Sequence, residues 1–347
     1  FKFRQLSVEE TFSAILKLNN SNSFDIYDIN AKILKLAASY ICEPLTYIFN
    51  CCLESDVFPD AFKVMKTVPV FKKGNRSQCE NYRPISLIPT VSKVFEMLLR
   101  DQVYTYFEEN SLFTKSQYGF RTSLSTIDAV TSFIEQCLKG LEMGKYVQSR
   151  LFDLTKAFDT VSHNTLINKL KFYGFDDVSV AFFLSYLNHR CQFVSLNGTI
   201  SDQGLLKHGV PQGSILGPVL FLIYINDLPA LVQDESLEAY LYADDLAINI
   251  VHENKMTLNK KLEDVTKKIY DWCNANSLAI NENKIENINF SSSRNNYDSE
   301  NSVRLLGIHL EPGLGWQCHT NYLTSKISKA IFVIRMLKYS VSTDSLL

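Results

Sequence analysis

Two adjacent acidic residues, Asp244 and Asp245, lie in the middle of the otherwise apolar segment Tyr240–Ile248. A buried carboxylate is costly unless a cation or a metal ion accompanies it. Neighbouring residues of a strand point to opposite faces, so a tight turn is needed to bring both carboxylates to one edge of a sheet. An ordinary surface turn is the alternative interpretation, because aspartate is common in turns.

A third acid, Asp153, ends the predicted strand Val147–Asp153 far upstream in the chain. Two metal ions roughly 3.5–4 Å apart, an arrangement that promotes phosphoryl transfer, need carboxylates from separate segments. Mg²⁺ suits such a site because it binds through one or two carboxylates together with substrate phosphates. The pattern therefore predicts two Mg²⁺ ions, with Mn²⁺ as a substitute, held by Asp153, Asp244 and Asp245.

Two further segments favour contact with nucleotides or phosphates. The segment Gly209–Gly213 predicts a loop that feeds a helix, and its glycines permit close approach of the backbone to a ligand, although an ordinary loop is the alternative. The segment Phe62–Arg83 contains one acid, Glu80, and six cations: Lys63, Lys66, Lys72, Lys73, Arg76 and Arg83. Solvated surface charge explains its lysines equally well, whereas the planar guanidinium of Arg83 is better suited to phosphate.

Composition limits the class of protein. The net charge of −2 and the pI near 6.4 argue mildly against nucleic-acid binding, but the local basic segments oppose that interpretation. A length of 347 residues predicts two or three subdomains.

The eight cysteines contain no CxxC pair, which favours free thiols in a reducing compartment over a zinc site. The longest apolar run, Ile215–Ile225, is too short to span a bilayer, so we expect no membrane contact.

Hydrophobic periodicity predicts a mostly helical N-terminal region followed by a mixed region. The first region contains a strand at Thr67–Phe71 and a helix over Ile127–Leu141 that ends near Gly140 or Gly144. The mixed region contains, in order, a strand (Val147–Asp153), a helix (Ser162–Leu170), a hairpin (Gln192–Leu196 and Thr199–Ser201, around Asn197-Gly198), a second hairpin (Ala239–Tyr242 and Leu246–Val251) and a helix (Leu258–Trp272). This order is typical of an α+β domain whose antiparallel sheet carries helices on one face. The polar segment Ser291–Ser302 predicts a surface loop.

Four segments, in this order and spacing, resemble the palm motifs of reverse transcriptases from non-LTR (LINE-type, jockey-like) retrotransposons: Asn81–Leu87, Phe152–His163, Gly209–Pro218 and Tyr242–Asp245. The resemblance implies a right-hand polymerase with fingers at residues 1–145, a palm with the catalytic acids at 146–300, and the primer-grip region and start of a thumb at 301–347. It also implies an RNA-directed DNA polymerase that extends a DNA primer on an RNA template with dNTPs. Such an enzyme is part of a polyprotein that includes an endonuclease domain, and resides in the nucleus and cytoplasm.

The resemblance also assigns catalytic roles. Asp153 and Asp244 match the principal metal ligands of the family, and Asp245 matches the third acid. Lys284 matches a lysine that protonates the pyrophosphate leaving group, although Ile285 follows it where the family usually has threonine. Asp159, which follows the aromatic residue of its motif, is better explained as a cap of the turn before the Ser162 helix than as a metal ligand.

Further residues are implied in substrate binding. Those matched to nucleotide contacts are Phe158, Arg83, Lys72, Arg121, Gln212 and Gly213. Phe158 matches the steric gate against a ribose 2′-hydroxyl, with simple core packing as the alternative. Lys326 and Lys329, on a predicted C-terminal helix, would follow the nucleic-acid backbone, with a solvated helix face as the alternative.

Three polar residues, Gln148, Ser149 and Arg150, interrupt a strand that is usually apolar in the family. Arg150 is expected to destabilise that strand, which would fit a decayed copy that binds nucleic acid without catalysing a reaction. The intact acids favour an active enzyme instead. An RNA-dependent RNA polymerase is disfavoured because Phe158 would exclude ribonucleotides and Ala243 stands where glycine is typical.

Overall fold

The computed structural model describes residues 1–196, 198–232, 234–292 and 302–338. Its helices are α1 (Val8–Lys17), α2 (Ala31–Glu54), α3 (Thr90–Glu109), α4 (Thr126–Glu142), α5 (Ala157–Thr160), α6 (His163–Phe172), α7 (Asp177–Leu187), α8 (Leu216–Ile225), α9 (Lys255–Ala275) and α10 (Gln317–Leu337). Its strands are β1 (Val64–Phe71), β2 (Tyr82–Leu87), β3 (Tyr146–Thr155), β4 (Cys191–Leu196), β5 (Thr199–Ile200), β6 (Gly204–Leu205), β7 (Leu237–Tyr242), β8 (Asp245–His252), β9 (Ala279–Ile280), β10 (Glu286–Phe290), β11 (Val303–Leu305) and β12 (Ile308–Leu310).

The chain forms two compact units that interleave along the sequence. Unit A comprises Phe1–Phe120, Leu154–Pro229 and Asp271–Ala279, and unit B comprises Arg121–Asp153, Ala230–Tyr270 and Ile280–Leu347. The subdomain boundaries at residues 145 and 300 stay predictions. Asn197 of the predicted hairpin turn, and most of the predicted loop Ser291–Ser302, lie outside the described residues.

Unit A is built on a five-stranded sheet in the order β2-β1-β4-β5, with β6 paired to β4. Strand β1 is antiparallel to β2 and parallel to β4. Helices α1, α2 and α3 pack together, and the ring of Phe95 stacks on that of Phe49 with centroids 4.5 Å apart. The predicted strand at Thr67–Phe71 and the β4–β5 hairpin are confirmed, whereas β2, which carries Arg83, was not predicted.

Among the described residues, one helix, α2, is long and apolar enough to cross a membrane, judged by length and composition alone. Its sequence contains no long uninterrupted apolar run, because Lys32, Lys35 and Glu43 divide it. Core helices of soluble proteins pass the same test, and α2 packs its buried side against α1 and α3. The finding is therefore weak evidence for a membrane span.

A buried ion pair in unit A joins Glu96 of α3 to Arg190, which lies between α7 and β4. The Glu96 carboxylate is fully buried and accepts hydrogen bonds from the backbone N–H groups of Ile215 (2.8 Å) and Leu216 (3.2 Å), where α8 begins. Its other oxygen lies 3.8 Å from the guanidinium of Arg190, which is also buried and stacks 4.1 Å from the ring of Tyr186. Burial raises the pKa of the Glu96 carboxyl, while Arg190 and the two amides lower it.

Unit B contains an antiparallel sheet in the order β10-β3-β8-β7. Helix α4 contacts β7 and β8, and it ends at Glu142, two residues before Gly144, whose φ is +70°. Ser149 and Arg150 point to opposite faces by strand alternation, toward α4 and α9 respectively. Helices thus contact both faces, where the sequence predicted one. On the α4 face, Gly140 near the C-terminal end of the helix lies against Val147 and Val251, at the end of the sheet remote from Asp153.

Two of the three polar residues that interrupt β3 have hydrogen-bond partners, whereas the Oε1 atom of Gln148 is buried without one in the described part of the chain. Ser149 and Asn249 are fully buried, and the Ser149 hydroxyl donates to Asn249 Oδ1 at 2.8 Å. The Arg150 guanidinium donates to Asn287, Thr266 and Glu263 at 2.6–3.0 Å. The expectation that Arg150 destabilises the strand is wrong, because its charge is paired and its donors have acceptors.

We predict that Glu96→Ala lowers the free energy of unfolding by about 3–5 kcal/mol, because it leaves the Arg190 charge buried without a partner. Urea unfolding measures the change. Glu109→Ala, which removes an exposed carboxylate from the same helix, is the control and should shift stability by less than about 0.5 kcal/mol. Equal stabilities for the two variants would contradict the role given to the buried pair.

Candidate active site

The three predicted acids lie together in unit B. Strands β3 and β8 pair antiparallel in a register that sets Asp153 directly opposite Asp245. Asp244 occupies the turn between β7 and β8, next to Ala243, whose backbone has a left-handed φ of +56°. This conformation is unfavourable for a residue with a side chain, and it allows the tight turn that the sequence required.

Lys284 joins this group. Its ammonium donates to Asp153 Oδ2 at 2.9 Å from a short 3₁₀ helix, Glu282–Lys284. The N–H of Asn281 donates to the Asp153 carbonyl at 2.8 Å, which anchors that helix beside the end of β3. The structure therefore brings Asp153, Asp244, Asp245 and Lys284 to one place, and Lys284 supplies the positive charge.

The electrostatics of the acids follow from this arrangement. The pKa of the Asp245 carboxyl is raised to about 6, by desolvation first and then by repulsion from Asp244 and Asp153, against attraction from Lys284. A divalent cation at this place would relieve that repulsion.

A cavity of about 270 Å³ opens beside these residues and is lined by Asp153, Asp245, Lys284, Glu286 and Arg304 among others. Its charged donors are hard carboxylate oxygens, the kind that Mg²⁺ prefers. Among the described residues, no group of three or more His, Cys, Asp or Glu side chains is placed to hold a metal ion by itself. The donor set fits an ion that completes its coordination with water and substrate phosphate.

The predicted glycine-rich loop lies in unit A. The N–H of Ser86 donates to the Gln212 carbonyl at 2.9 Å, which ties the loop to β2. Gly213 has a φ of +113°, and a Cβ there would lie 2.5 Å from the Ser86 carbonyl oxygen, so only glycine fits. The Gln212 amide donates to both carboxylate oxygens of Asp159 at 2.8 Å. The Asp159 carboxylate, which was expected to cap the turn before the Ser162 helix, is bound by Gln212, and Ser162 itself caps α6.

Phe158 is half-buried at the start of α5 in unit A. Its ring stacks on that of Phe221, with centroids 4.3 Å apart, and meets the ring of Phe120 edge-on at 6.3 Å. The Phe158 ring is thus packed against other aromatic rings, as expected if the residue only contributes to core packing. The structure supports a packing contact and leaves the gate as a prediction.

The remaining predicted residues are not brought into one group. Arg83 and Lys72 are exposed in unit A, and Arg121 is partly exposed in unit B. Lys326 and Lys329 are exposed on α10, with the Lys326 ammonium 4.8 Å from the centroid of the Tyr322 ring.

Sequence reasoning missed two groups near the predicted residues. One is Asp159, as the partner of Gln212. The other is Glu96, whose signal was available, since it is an acid within a run of buried apolar helix residues.

Comparison with known proteins agrees with these observations. Residues 70–310 match the family model described as reverse transcriptase (RNA-dependent DNA polymerase). The chain is 27% identical to the probable RNA-directed DNA polymerase from transposon BS of Drosophila melanogaster, over 99% of this chain and 40% of that protein. It is 27% identical to the RNA-directed DNA polymerase from mobile element jockey of the same species, over 83% of this chain and 32% of the relative. The chain thus spans two fifths or less of the length of these relatives.

Among solved structures, apo telomerase from Candida tropicalis, truncated from its C-terminal domain, is similar with a TM-score of 0.54. The two share 14% sequence identity, and the likeness covers 75% of this chain and 55% of the other. At this identity the likeness shows the fold alone, which confirms the predicted α+β fold of the right-hand polymerase class.

We predict that Asp245→Asn stabilises the protein without divalent cations at about pH 7.5, raising its Tm by roughly 1–3 °C. Because the pKa is raised from 3.8 to about 6 in the folded state, ionisation costs stability as pH rises through that range. The gain should shrink toward zero near pH 4, where wild-type Asp245 is protonated. Thermal unfolding in EDTA at both pH values measures the change in Tm. The control is Asp264→Asn, which replaces an exposed carboxylate on α9. A gain independent of pH would contradict the electrostatic explanation.

Proposed function

Because the chain belongs to the reverse transcriptase (RNA-dependent DNA polymerase) family, we propose that it polymerises DNA on an RNA template as part of a longer retrotransposon protein. The observation that carries the proposal is the cross-strand pairing of Asp153 with Asp245, beside Asp244 and Lys284. An endonuclease domain elsewhere in the full protein, and residence in the nucleus and cytoplasm, are proposals of the same kind.

Asp153 and Asp244, with Asp245 as the third acid, would hold two Mg²⁺ ions, for which Mn²⁺ would substitute. When bound, such ions lower the pKa of an attacking hydroxyl and stabilise the oxygens of the leaving group. Two observations support a site that attracts positive charge: the pKa of the Asp245 carboxyl is raised, and the Lys284 ammonium donates a hydrogen bond to Asp153.

Lys284 has two roles in this proposal. Without a divalent cation, its ammonium offsets the charge of Asp153 at 2.9 Å. During the reaction, the Lys284 ammonium would donate a proton to the departing pyrophosphate oxygen. A general acid of this type accelerates a reaction by about 10²–10⁴-fold.

The substrates proposed are an RNA template, a DNA primer and dNTPs. Gln212 and Gly213 would approach the nucleotide through a loop whose backbone is fixed on β2. Arg83 is exposed on that same strand and would contact the triphosphate. The exposed cations Lys326 and Lys329 on α10 would contact the nucleic-acid backbone.

A catalytically silent nucleic-acid-binding copy is the second candidate. It rested on the polar residues of β3, and the contacts of Ser149 and Arg150 remove that support. The proposed polymerase is therefore favoured, and primer extension on an RNA template with dNTPs and Mg²⁺ separates the two candidates.

We predict that Asp244→Asn reduces primer extension by on the order of 10³-fold or more, because it removes a negative ligand where metal ions must be held. Affinity for an RNA–DNA primer–template should remain within about twofold, since the substitution changes shape little. Asp264→Asn serves as the matched control. Extension by Asp244→Asn near the wild-type rate would disprove the metal-ligand assignment.

We also predict that Phe158→Val raises the rNTP-to-dNTP ratio of kcat/KM by at least about tenfold, or roughly 1.4 kcal/mol. The smaller side chain would no longer collide with a ribose 2′-hydroxyl. Phe221→Leu is the matched control, because it disrupts the same ring stack from the other side. It should lower stability and leave the sugar ratio unchanged. If both variants lose stability with an unchanged ratio, Phe158 only packs the core.

A further inference from the structure

A second cavity, of about 530 Å³, lies in unit A and has no part in the proposed chemistry. Lys17, Lys93 and Arg100 line it, and Gly213 of the Gln212 loop forms part of its wall. Its volume is in the range of sites that hold small organic ligands, and is much larger than one ion needs. Apolar side chains including Leu18, Ile88 and Met97 also line the cavity, which therefore offers both cationic and apolar contacts.

Lys93 is the informative residue of this cavity. Its side chain is partly buried on α3, and desolvation lowers the pKa of its ammonium against the attraction of Glu96 and Asp25. Within the part of the chain that the structure describes, the ammonium has neither a hydrogen bond nor an ion pair. By contrast, the buried Lys63 pairs with Asp60 at 2.8 Å, and the partly buried Lys169 pairs with Asp227 at 2.7 Å.

The two nearby carboxylates are already engaged by other groups. Asp25 accepts hydrogen bonds from the backbone N–H groups of Tyr27, Ile29 and Thr90, the last at 2.6 Å. Glu96 accepts those of Ile215 and Leu216 and faces Arg190. A partly buried ammonium without a partner is costly, so its position is best explained by an anion that enters from outside the chain.

We propose that this cavity binds a phosphorylated nucleotide unit of an RNA strand, with the phosphate at Lys93 and the base against the apolar wall. Lys17 and Arg100 add positive charge, although Arg100 also pairs with Asp101. The presence of Gly213 in the wall places the bound unit next to the loop that is proposed to approach the nucleotide. The inference thus rests on the proposed function, and identifies a contact with the template strand that the carboxylates do not supply.

The test is binding of a labelled single-stranded RNA 12-mer to the whole chain, measured by fluorescence anisotropy over a range of KCl concentrations. Lys93→Ala should weaken binding by at least about fivefold and reduce the slope of log K against log salt by roughly 0.7, the loss of one phosphate contact. Lys93→Arg should keep the slope. Lys171→Ala, an exposed lysine of the same unit, should change neither quantity. Thermal unfolding of each variant confirms that it is folded, and Lys93→Gln replaces Lys93→Ala if that variant is not.

Wild-type affinity and slope in both Lys93→Ala and Lys93→Gln would overturn the proposal. Competition by millimolar AMP would overturn its strand assignment, because a free nucleotide would then suffice. Primer extension is measured in parallel. A wild-type chain that binds RNA but does not extend primers would disprove the proposed activity while the binding comparison at Lys93 still stands. Normal primer extension, with no effect of the Lys93 substitutions on RNA binding, would disprove RNA binding in the cavity and leave the proposed polymerase activity standing.

Discussion

Repulsion between carboxylates is the constraint around which unit B is organised. Asp153, Asp244 and Asp245 sit close enough for the first two to raise the pKa of the third. A loose chain would separate such charges, so they must be held by structure that is stable for other reasons. The eight paired positions of β3 and β8, with helix contacts on both faces of the sheet, supply that stability. Lys284 offsets part of the repulsion that remains.

In unit A, too, residues of the proposed site are held by contacts with neighbouring elements, and one of these contacts is made by the buried Glu96 carboxylate. Its glycine-rich loop is fixed at three places: by β2 at the Gln212 carbonyl, by Asp159 at the Gln212 amide, and by Glu96 at the start of α8. Each contact is a hydrogen bond between the loop or the start of α8 and a neighbouring element. A loop held in this way loses little entropy when a ligand binds, which favours tight and selective contacts.

Much of the local structure could be predicted from the sequence. The strand ending at Asp153, the hairpin around Ala243 and Asp244, and helices α4, α6 and α9 were each predicted by apolar periodicity and turn residues, which are local signals. The pairing of Gln212 with Asp159 was missed because it depends on contacts between segments far apart in the chain. For the same reason, Arg150 was expected to destabilise a strand that its partners on α9 and β10 in fact stabilise.

The buried pair of Ser149 and Asn249 has a consequence for strand alignment. The two residues are directly opposite across β3 and β8, four positions from Asp153 and Asp245. A slip of two residues would keep every side chain on its face but set Ser149 against Ala247 or Val251, neither of which can accept its hydrogen bond. Each buried polar group left unpaired costs about 1–3 kcal/mol, so the slipped sheet is disfavoured. The polar residues that interrupt the apolar strand thus help to fix the register in which Asp153 lies opposite Asp245.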